Sequence, residues 1–327
     1  MKSRMTGFVA FTSILISAGL WSLGTTPALA QQAATTPAKF DEAAWRKELT
    51  KWRAERAKEV AAPDGSLTLV GMDWLKPGSN SFGGAVDNKI MIRGLAPAHM
   101  GLLTLSSKSA SHAPTIQLLS PRGGFPPEMT VDGKPAREGQ LTVTKAKPSI
   151  IAWHGIKLAI LLRGDRFAVR INDTKAPTLV LFHGLNWYAP NPHFRVTASW
   201  TPFDAPRVEK IPNGQGGTLD LPAPGVAEFT LDGQALHLVP VIENHDQRTL
   251  FFILKDKTGR STTYRTARFL HTGLPDHGVD QPGTLTLDFN RLENPACAYT
   301  TYANCPQPPE LNQLPVAIEA GEQLYGQ

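Results

Sequence analysis

The 327 residues carry a formal net charge of +5, from 33 Lys and Arg against 28 Asp and Glu. That excess is mild and comes with no basic block and no aromatic–basic interleaving, so no nucleic-acid partner is expected. The 28 Gly and 27 Pro favour many short strands and turns over long helices, and only the extreme N-terminus is apolar for long enough to approach a membrane span.

Residues 1–30 read as a signal peptide. Lys2 and Arg4 form a positive start, Gly7 to Gly24 is apolar and uncharged, and Ala28-Leu29-Ala30 is a small-x-small cleavage signal before Gln31. A retained anchor is the weaker reading, because the Ala-x-Ala ending favours cleavage. The expected location is periplasmic or secreted. Removing residues 1–30 from the 327 leaves 297 residues at a charge of +3, since Lys2 and Arg4 go with the signal. No later segment is long and apolar enough to cross a membrane as a helix. Gln31 to Lys39 is a polar Ala/Thr-rich stretch, read as a flexible leader.

Residues 40–62 are predicted as the single N-terminal helix. Asp41 can cap it, Phe40 and Trp45 fit a hydrophobic staple, and Pro63-Asp64-Gly65 ends it. Trp45, Leu49 and Trp52 recur at i, i+4, i+7, opposite a face of Arg, Lys and Glu, so the helix is amphipathic and expected to pack its Trp stripe on a sheet. From Ser66 onward the pattern is β: Leu67–Val70, Lys89–Ile92, Leu102–Leu105, Thr115–Leu119, Leu141–Val143, Ile150–Trp153, Leu158–Leu162 and Phe167–Ile171, separated by Gly, Pro, Asn and Asp turns. Val196, Ala198 and Trp200 alternate with polar neighbours, as in a half-buried strand. Asn213 to Gly217 is a Gly-rich loop, but strand rather than helix follows it, which argues against a phosphate cradle. Asp132-Gly133 and, more clearly, Asp232-Gly233 between alternating runs predict type I′ hairpins. Leu250–Leu254 suits a buried strand, Asp256 to Gly259 a turn, Thr262–Tyr264 an extended segment and Thr284–Phe289 the last strand.

The predicted fold is therefore mainly β, as antiparallel sandwich- or barrel-like units with one N-terminal amphipathic helix. A soft boundary near Pro222–Gly225 divides a larger β unit, 63–222, from a smaller C-terminal one, 223–327, with room for the two to share a core. The C-terminal unit ends in a strap, Leu285 to Glu322, that holds both cysteines and five prolines. It lacks helical periodicity and is too rich in proline for a central strand.

The motifs Lys255-Asp256-Lys257-Thr258-Gly259, Arg268-Phe269-Leu270, Leu287-Asp288-Phe289-Asn290-Arg291, Asn294-Pro295, Cys297-Ala298-Tyr299, Cys305-Pro306, Asn312, Leu314-Pro315 and Ala320-Gly321-Glu322 resemble the bacterial and archaeal domain-of-unknown-function family 1684. Trp52-Arg53, Asp64-Gly65, Leu69-Val70-Gly71, Trp74-Leu75, Asn80, Phe82-Gly83 and Arg170…Asp173 fit the same family, extending the likeness over Trp45 to Glu322. Ala267 and Ala296 stand where the family usually has glycine and proline. The resemblance implies a mostly β fold and carries no established activity.

Arg268, Asp288, Asn290 and Tyr299 are the candidate ligand-binding residues. Asp288 and Asn290, i and i+2 on a strand, would share a face, and the planar fork of Arg268 can pair with Asp288 or hold a ligand carboxylate or phosphate. In the competing structural reading, Asp288 and Asn290 bond the backbone of the strap and Arg268 buries against them. Cys297 and Cys305, in an exported chain, are expected to form a disulfide. A zinc site would need two more ligands and a different spacing. His271 and His277 flank a turn and read as solvated rather than as a metal pair. Asp64 and Asp73 are a carboxylate pair only if the fold joins them. No zinc-protease or esterase signature is present, and neither a metal nor a cofactor is expected.

Three functions follow. The first is an exported binding module for a small polar or anionic ligand. The second is a hydrolase-type enzyme with Asp288 as base. The third is a structural or envelope-interaction protein whose motif only locks the strap. No sequence feature names a protein partner.

Overall fold

Trp45, Leu49 and Val60 are the buried residues of helix α1, Glu42–Val60, which Asp41 caps by accepting from Ala44 N at 3.0 Å. Arg46–Glu42 and Lys51–Glu55 pair along its exposed side at 2.7 and 3.8 Å, as i,i+4 spacing allows. The computed structural model describes residues 40–106, 114–144, 147–163, 166–214, 217–243 and 248–326. The signal peptide and leader expected over residues 1–39 lie outside the described residues, as does part of the Asn213–Gly217 loop. Helix α1 and everything after it belong to one unit, Asp41–Gln327.

Two sheets follow α1. In the six-stranded sheet the spatial order is Leu69–Trp74, Arg166–Asp173, Ile156–Arg163, Ser149–Trp153, Thr130–Val131, Lys134–Pro135, antiparallel throughout. In the five-stranded sheet it is Ile90–Met91, Gly78–Gly83, Gly101–Leu105, Ile116–Leu119, Gly139–Leu141, with one parallel pair between the first two. Alternate residues of both sheets meet in one core: Phe82, Leu103 and Leu118 from one, Leu158, Ile160, Val169 and Ile171 from the other. This is the sandwich solution, in which each sheet buries one face against the other.

The second half is built on a four-stranded antiparallel sheet in the order Gln234–Leu238, Gly217–Leu231, Arg195–Asn213, Gly283–Asp288. Asp232 and Gly233 adopt φ of 51° and 73° between paired Leu231 and Gln234, the left-handed pair that a type I′ turn requires. Asp132 and Gly133 do the same at 50° and 77°. Ala198 and Trp200 are buried while Thr197 and Ser199 are exposed, the expected alternation. The strand runs on to Asn213, with a register shift between Pro202 and Arg207. The Pro222–Gly225 stretch lies inside its partner strand. A Cβ at Gly225 would meet Thr201 O at 2.5 Å and the Trp200 ring at 2.6 Å, so only glycine fits there.

The core of this half spans Phe194 to Ala320. It is filled by the four-stranded sheet, by Leu250–Leu254 paired with Arg268–Thr272, and by the strap. Leu314, Val316, Ile318 and Ala320 are buried, with Gln313, Pro315, Ala317 and Glu319 exposed between them. The strap is thus an extended chain of period two. Burial of Leu314, Val316 and Ile318 contributes roughly 1.5–3 kcal/mol each. Its backbone is bonded to the 255–257 segment: Leu314 N donates to Lys255 O at 2.7 Å and Lys257 N to Val316 O at 2.8 Å.

Among the described residues no sheet closes into a barrel, since each has two open ends, so of the expected sandwich- or barrel-like forms the open one is present. One expectation needs correction. Thr262–Tyr264 is a turn and bend rather than an extended segment, because the N–H groups of Thr262 and Thr263 return to Thr258 O.

Candidate functional site

Arg268 lies on the strand Arg268–Thr272 with its side chain pointing into the core. Its Nη1 donates to Asp256 Oδ2 at 2.8 Å and to Ile318 O at 2.9 Å, and Nη2 donates to Ala320 O. The Arg268 and Asp256 side chains are 1% and 0% exposed. Asp256 also accepts from Thr258 N at 2.8 Å, Thr258 Oγ1 at 2.5 Å and Ile318 N at 3.2 Å. The ion pair that could have been Arg268–Asp288 is Arg268–Asp256, and it fastens the strap.

The last strand stops at Asp288, and Phe289–Arg291 is a 3-10 turn, so Asp288 and Asn290 do not share a strand face. The cause is Asp288 itself, which caps that turn by accepting from Asn290 N at 3.2 Å. Its other carboxylate oxygen accepts from the indole of Trp45 at 2.6 Å, which ties helix α1 to the sheet. Asn290 donates to Asn191 O at 2.9 Å and to Asp288 Oδ1 at 3.0 Å, and accepts from Asn191 N at 2.8 Å. These three candidates are buried and engaged by protein groups.

Tyr299 is different. Its hydroxyl donates to Glu322 Oε2 at 2.5 Å, and the residue belongs to the lining of a cavity. Glu322 also accepts from Asn294 N at 2.8 Å and pairs with Arg56 of α1 at 3.1 Å. Arg56 further pairs with Glu293 at 3.1 Å and donates to Asn294 O at 2.9 Å. Burial pushes the Glu322 carboxyl above its ordinary range against the pull of Arg56. Burial, with the neighbouring Glu322 charge, also pushes the Tyr299 phenol up. Burial works against the charge of Arg56, but Glu293 and Glu322 hold its pKa above the usual guanidinium value. Gly321 makes this packing possible: it adopts φ +80°, and a Cβ there would meet Leu292 O at 2.5 Å. Reading by sequence missed Arg56 and Glu293. The signal available was spacing: Arg56 follows Trp52 at i+4 and so continues the Trp45, Leu49, Trp52 stripe with a charged residue.

The cavity beside Tyr299 has a volume of about 990 Å³ and a mainly apolar lining. Leu69, Val70 and Ile156 come from the six-stranded sheet, and Tyr299 and Tyr302 from the strap. Polar groups enter from the 93–95 loop and the 173–178 segment, which include Arg93, Asp173 and Lys175. The two segments are close, since a Cβ at Gly94 would lie 3.8 Å from Asp173 Oδ2. Among the described residues the side chains of Arg93 and Lys175 make no ion pair or hydrogen bond, while the third basic group, His154, pairs with Glu128 at 3.0 Å.

Cys297, in the same wall, is bonded to Cys305, as expected of this pair. His271 lies 3.6 Å from Glu243 and 3.3 Å from Glu293, whereas His277 faces Asp276 and Pro282 O. No group of three or more metal-ligating side chains occurs among the described residues. Asp73 is half-buried, which pushes its carboxyl up, and Asp64 is exposed; no hydrogen bond joins them. No helix among the described residues is long and apolar enough to cross a membrane.

A buried tie between strap and sheet, next to an apolar cavity, defines the class: a mainly β protein whose C-terminal motif builds a wall. Residues 181–323 match the family described as "Protein of unknown function (DUF1684)", and over this stretch the chain belongs to that family. The resembling segments between Trp45 and Val180 lie outside the matched residues. The solution NMR structure of an uncharacterized protein from Haloarcula marismortui is 33% identical, over 43% of this chain and 77% of that one, with a TM-score of 0.38. Among curated proteins, none matches the chain.

Proposed function

We propose that this is an exported binding protein whose cavity beside Tyr299 takes a small ligand with an apolar body and an anionic head. The observation that carries this reading is the pair of unpartnered cations, Arg93 and Lys175, at a mainly apolar cavity of about 990 Å³. A concave apolar site with a few polar groups is the usual form of a small-molecule site, and an anion there satisfies two charges that the protein leaves open. Of the small polar or anionic ligand expected at the C-terminal motif, the anionic group is kept, an apolar body is added, and the proposed place moves from Arg268, Asp288 and Asn290 to the wall formed by 297–302. The sequence signal at Ala28-Leu29-Ala30 and the Cys297–Cys305 bond support export, with cleavage after Ala30 and a periplasmic or secreted location.

The test is titration of the processed protein with dodecanoate, read by the fluorescence of Trp153 in the cavity wall, with dodecanol as the neutral control. Dodecanoate is expected to bind, and the double change Arg93→Ala/Lys175→Ala to weaken it about tenfold, some 1.4 kcal/mol. Equal binding of dodecanol, or no effect of the double change, would remove the anionic head from the reading. N-terminal sequencing of exported protein checks the processing: a start at Gln31 supports it, and a start at Met1 refutes it.

The hydrolase reading with Asp288 as base loses ground, because that carboxylate is buried and engaged by Trp45 and Asn290. The structural reading has one specific observation in its favour, the Arg268–Asp256 tie to the strap, and a locking role for the motif is compatible with a ligand in the neighbouring cavity.

A further inference from the structure

We infer that the mouth of the cavity docks onto an anionic phospholipid surface, from which the ligand's apolar body passes into the cavity without crossing water. The inference rests on the ligand-binding reading above.

Leu95, in the cavity lining, is 93% exposed. Pro177 and Thr178 line the same cavity and open helix α2, Pro177–Val180. Val180 at its end and Leu181 just after it are 68% and 67% exposed. Apart from Val86, no large hydrophobic among the described residues is more exposed than these three. The short helix is held from behind. Leu179 and Phe182 pack against the cluster of Val60, Leu67 and Tyr299, and Thr178 Oγ1 donates to Leu67 O at 2.5 Å. Val180 and Leu181 are therefore presented from a fixed support.

Charge selects the partner. Arg93 stands two residues before Leu95, and Lys175 two residues before Pro177. Both are exposed, and neither has an ion-pair partner among the described residues. Aliphatic side chains flanked by open cations form the pattern that binds a membrane interface. The apolar groups enter the acyl boundary, and the cations meet anionic headgroups. The cavity adds what a surface contact alone lacks: an apolar space lined by Arg93, Leu95, Lys175 and Pro177 of the same two segments.

The experiment is flotation of the processed full chain with vesicles of phosphatidylcholine alone or mixed with phosphatidylglycerol. Binding to the phosphatidylglycerol vesicles is expected, weaker on neutral ones and weakened by salt, since surface charge attraction is screened. Val180→Ser/Leu181→Ser is expected to lower vesicle binding about tenfold, through the apolar area lost from the interface, and to leave dodecanoate binding in solution unchanged. Dodecanoate binding without vesicle association overturns the docking surface alone. Loss of both in the unaltered protein overturns the cavity reading as well. Equal binding to neutral and anionic vesicles, or no effect of the double change, overturns the inference. So does a self-association abolished by Val180→Ser/Leu181→Ser in the absence of lipid binding, which would assign the patch to a second copy of the chain.

Discussion

Replacing Arg268 by Ala should be among the most destabilising single changes in the C-terminal half. It leaves Asp256, whose side chain is 0% exposed, as a buried carboxylate without its cation. Removing one member of a buried pair costs about 3–5 kcal/mol. The carbonyl of Ala320 also loses its donor, whereas Ile318 O keeps the bond from Ala320 N at 2.8 Å, and an orphaned buried group costs about 1–3 kcal/mol. Asp256 keeps its bonds from Thr258 and Ile318 N, and water entering beside the strap offsets part of the loss, so the net expectation is about 4 kcal/mol. Urea unfolding followed by tryptophan fluorescence reads this as a fall in midpoint at unchanged slope. Arg268→Lys should recover only part of the loss, because an ammonium cannot serve the carboxylate and two carbonyls in the fixed geometry of the guanidinium fork. In a double-mutant cycle, Arg268→Ala and Asp256→Ala should couple by well over 1 kcal/mol, as members of one network do. A loss below about 1 kcal/mol for Arg268→Ala would refute the claim that this pair holds the strap.

Further predictions concern other ties. At His271, whose side chain is 43% exposed, partial burial works against the charged form, but hydrogen bonds donated to Glu243 and Glu293 raise the pKa to about 9. The folded value lies above the ordinary one of about 6.5, so this stabilisation is full below about pH 6.5 and is lost as pH rises through about 9. The difference in urea midpoint between the protein and His271→Gln should therefore be present at pH 6 and absent near pH 10; a difference that grows with pH would refute the sign. Cys297→Ala/Cys305→Ala opens a nine-residue loop and should cost about 2–3 kcal/mol by loop entropy, seen as a lower thermal midpoint that reductant no longer changes. Trp45→Phe keeps the ring in place but removes the 2.6 Å bond to Asp288; a loss of about 2 kcal/mol is expected, and a neutral result would mean that water replaces the indole.

The legible part of the fold was the part governed by local periodicity. Helix α1, the alternation at Val196 to Trp200 and the two Asp-Gly hairpins all follow from side-chain spacing or from the φ that a turn demands. The Cys297–Cys305 bond follows from the count of two cysteines together with the export expected of the chain. The length of the Arg195–Asn213 strand was hidden because its prolines break the pattern that marks a strand, while the register shift after Pro202 accommodates them. Asp288 and Asn290 were misplaced for a different reason. A strand face was assumed up to Asn290, whereas an Asp at the end of a strand can cap the turn that stops it. Arg268 reads in the sequence as a ligand group or a partner of Asp288, but the partner it has, Asp256, lies twelve residues earlier across a turn. The cavity was not legible at all, since its wall joins segments near positions 70, 94, 155, 175 and 300, and no local pattern reports a contact over such separations.

This division bears on where function should be sought. Asn312 accepts from Val239 N at 2.8 Å and donates to Val239 O and Ile253 O. Glu322 joins Arg56, Asn294 and Tyr299, and Arg268 joins Asp256 to the strap. Asp256, Arg268, Asn294, Tyr299, Asn312 and Glu322 stand in the long C-terminal motif, and each is buried and bonded to protein partners, with Arg268 Nε and Asn294 Oδ1 the atoms among them that find none. Opening any of them to a ligand would require breaking a bond that holds the fold, so a motif rich in polar residues here marks construction more than chemistry. What the construction delivers is a fixed wall. Tyr299 is held by Glu322, and through Arg56 and Glu293 the tie continues to helix α1 and to His271 at the surface. Tyr299, part of the cavity lining, is thereby tied in place. Arg93 and Lys175, whose side chains have no partner among the described residues, lie in the other half of the chain, before residue 181, outside the part that matches the family. A ligand preference set by those two cations would then belong to this chain's N-terminal half, while the wall it binds against belongs to the family's C-terminal one.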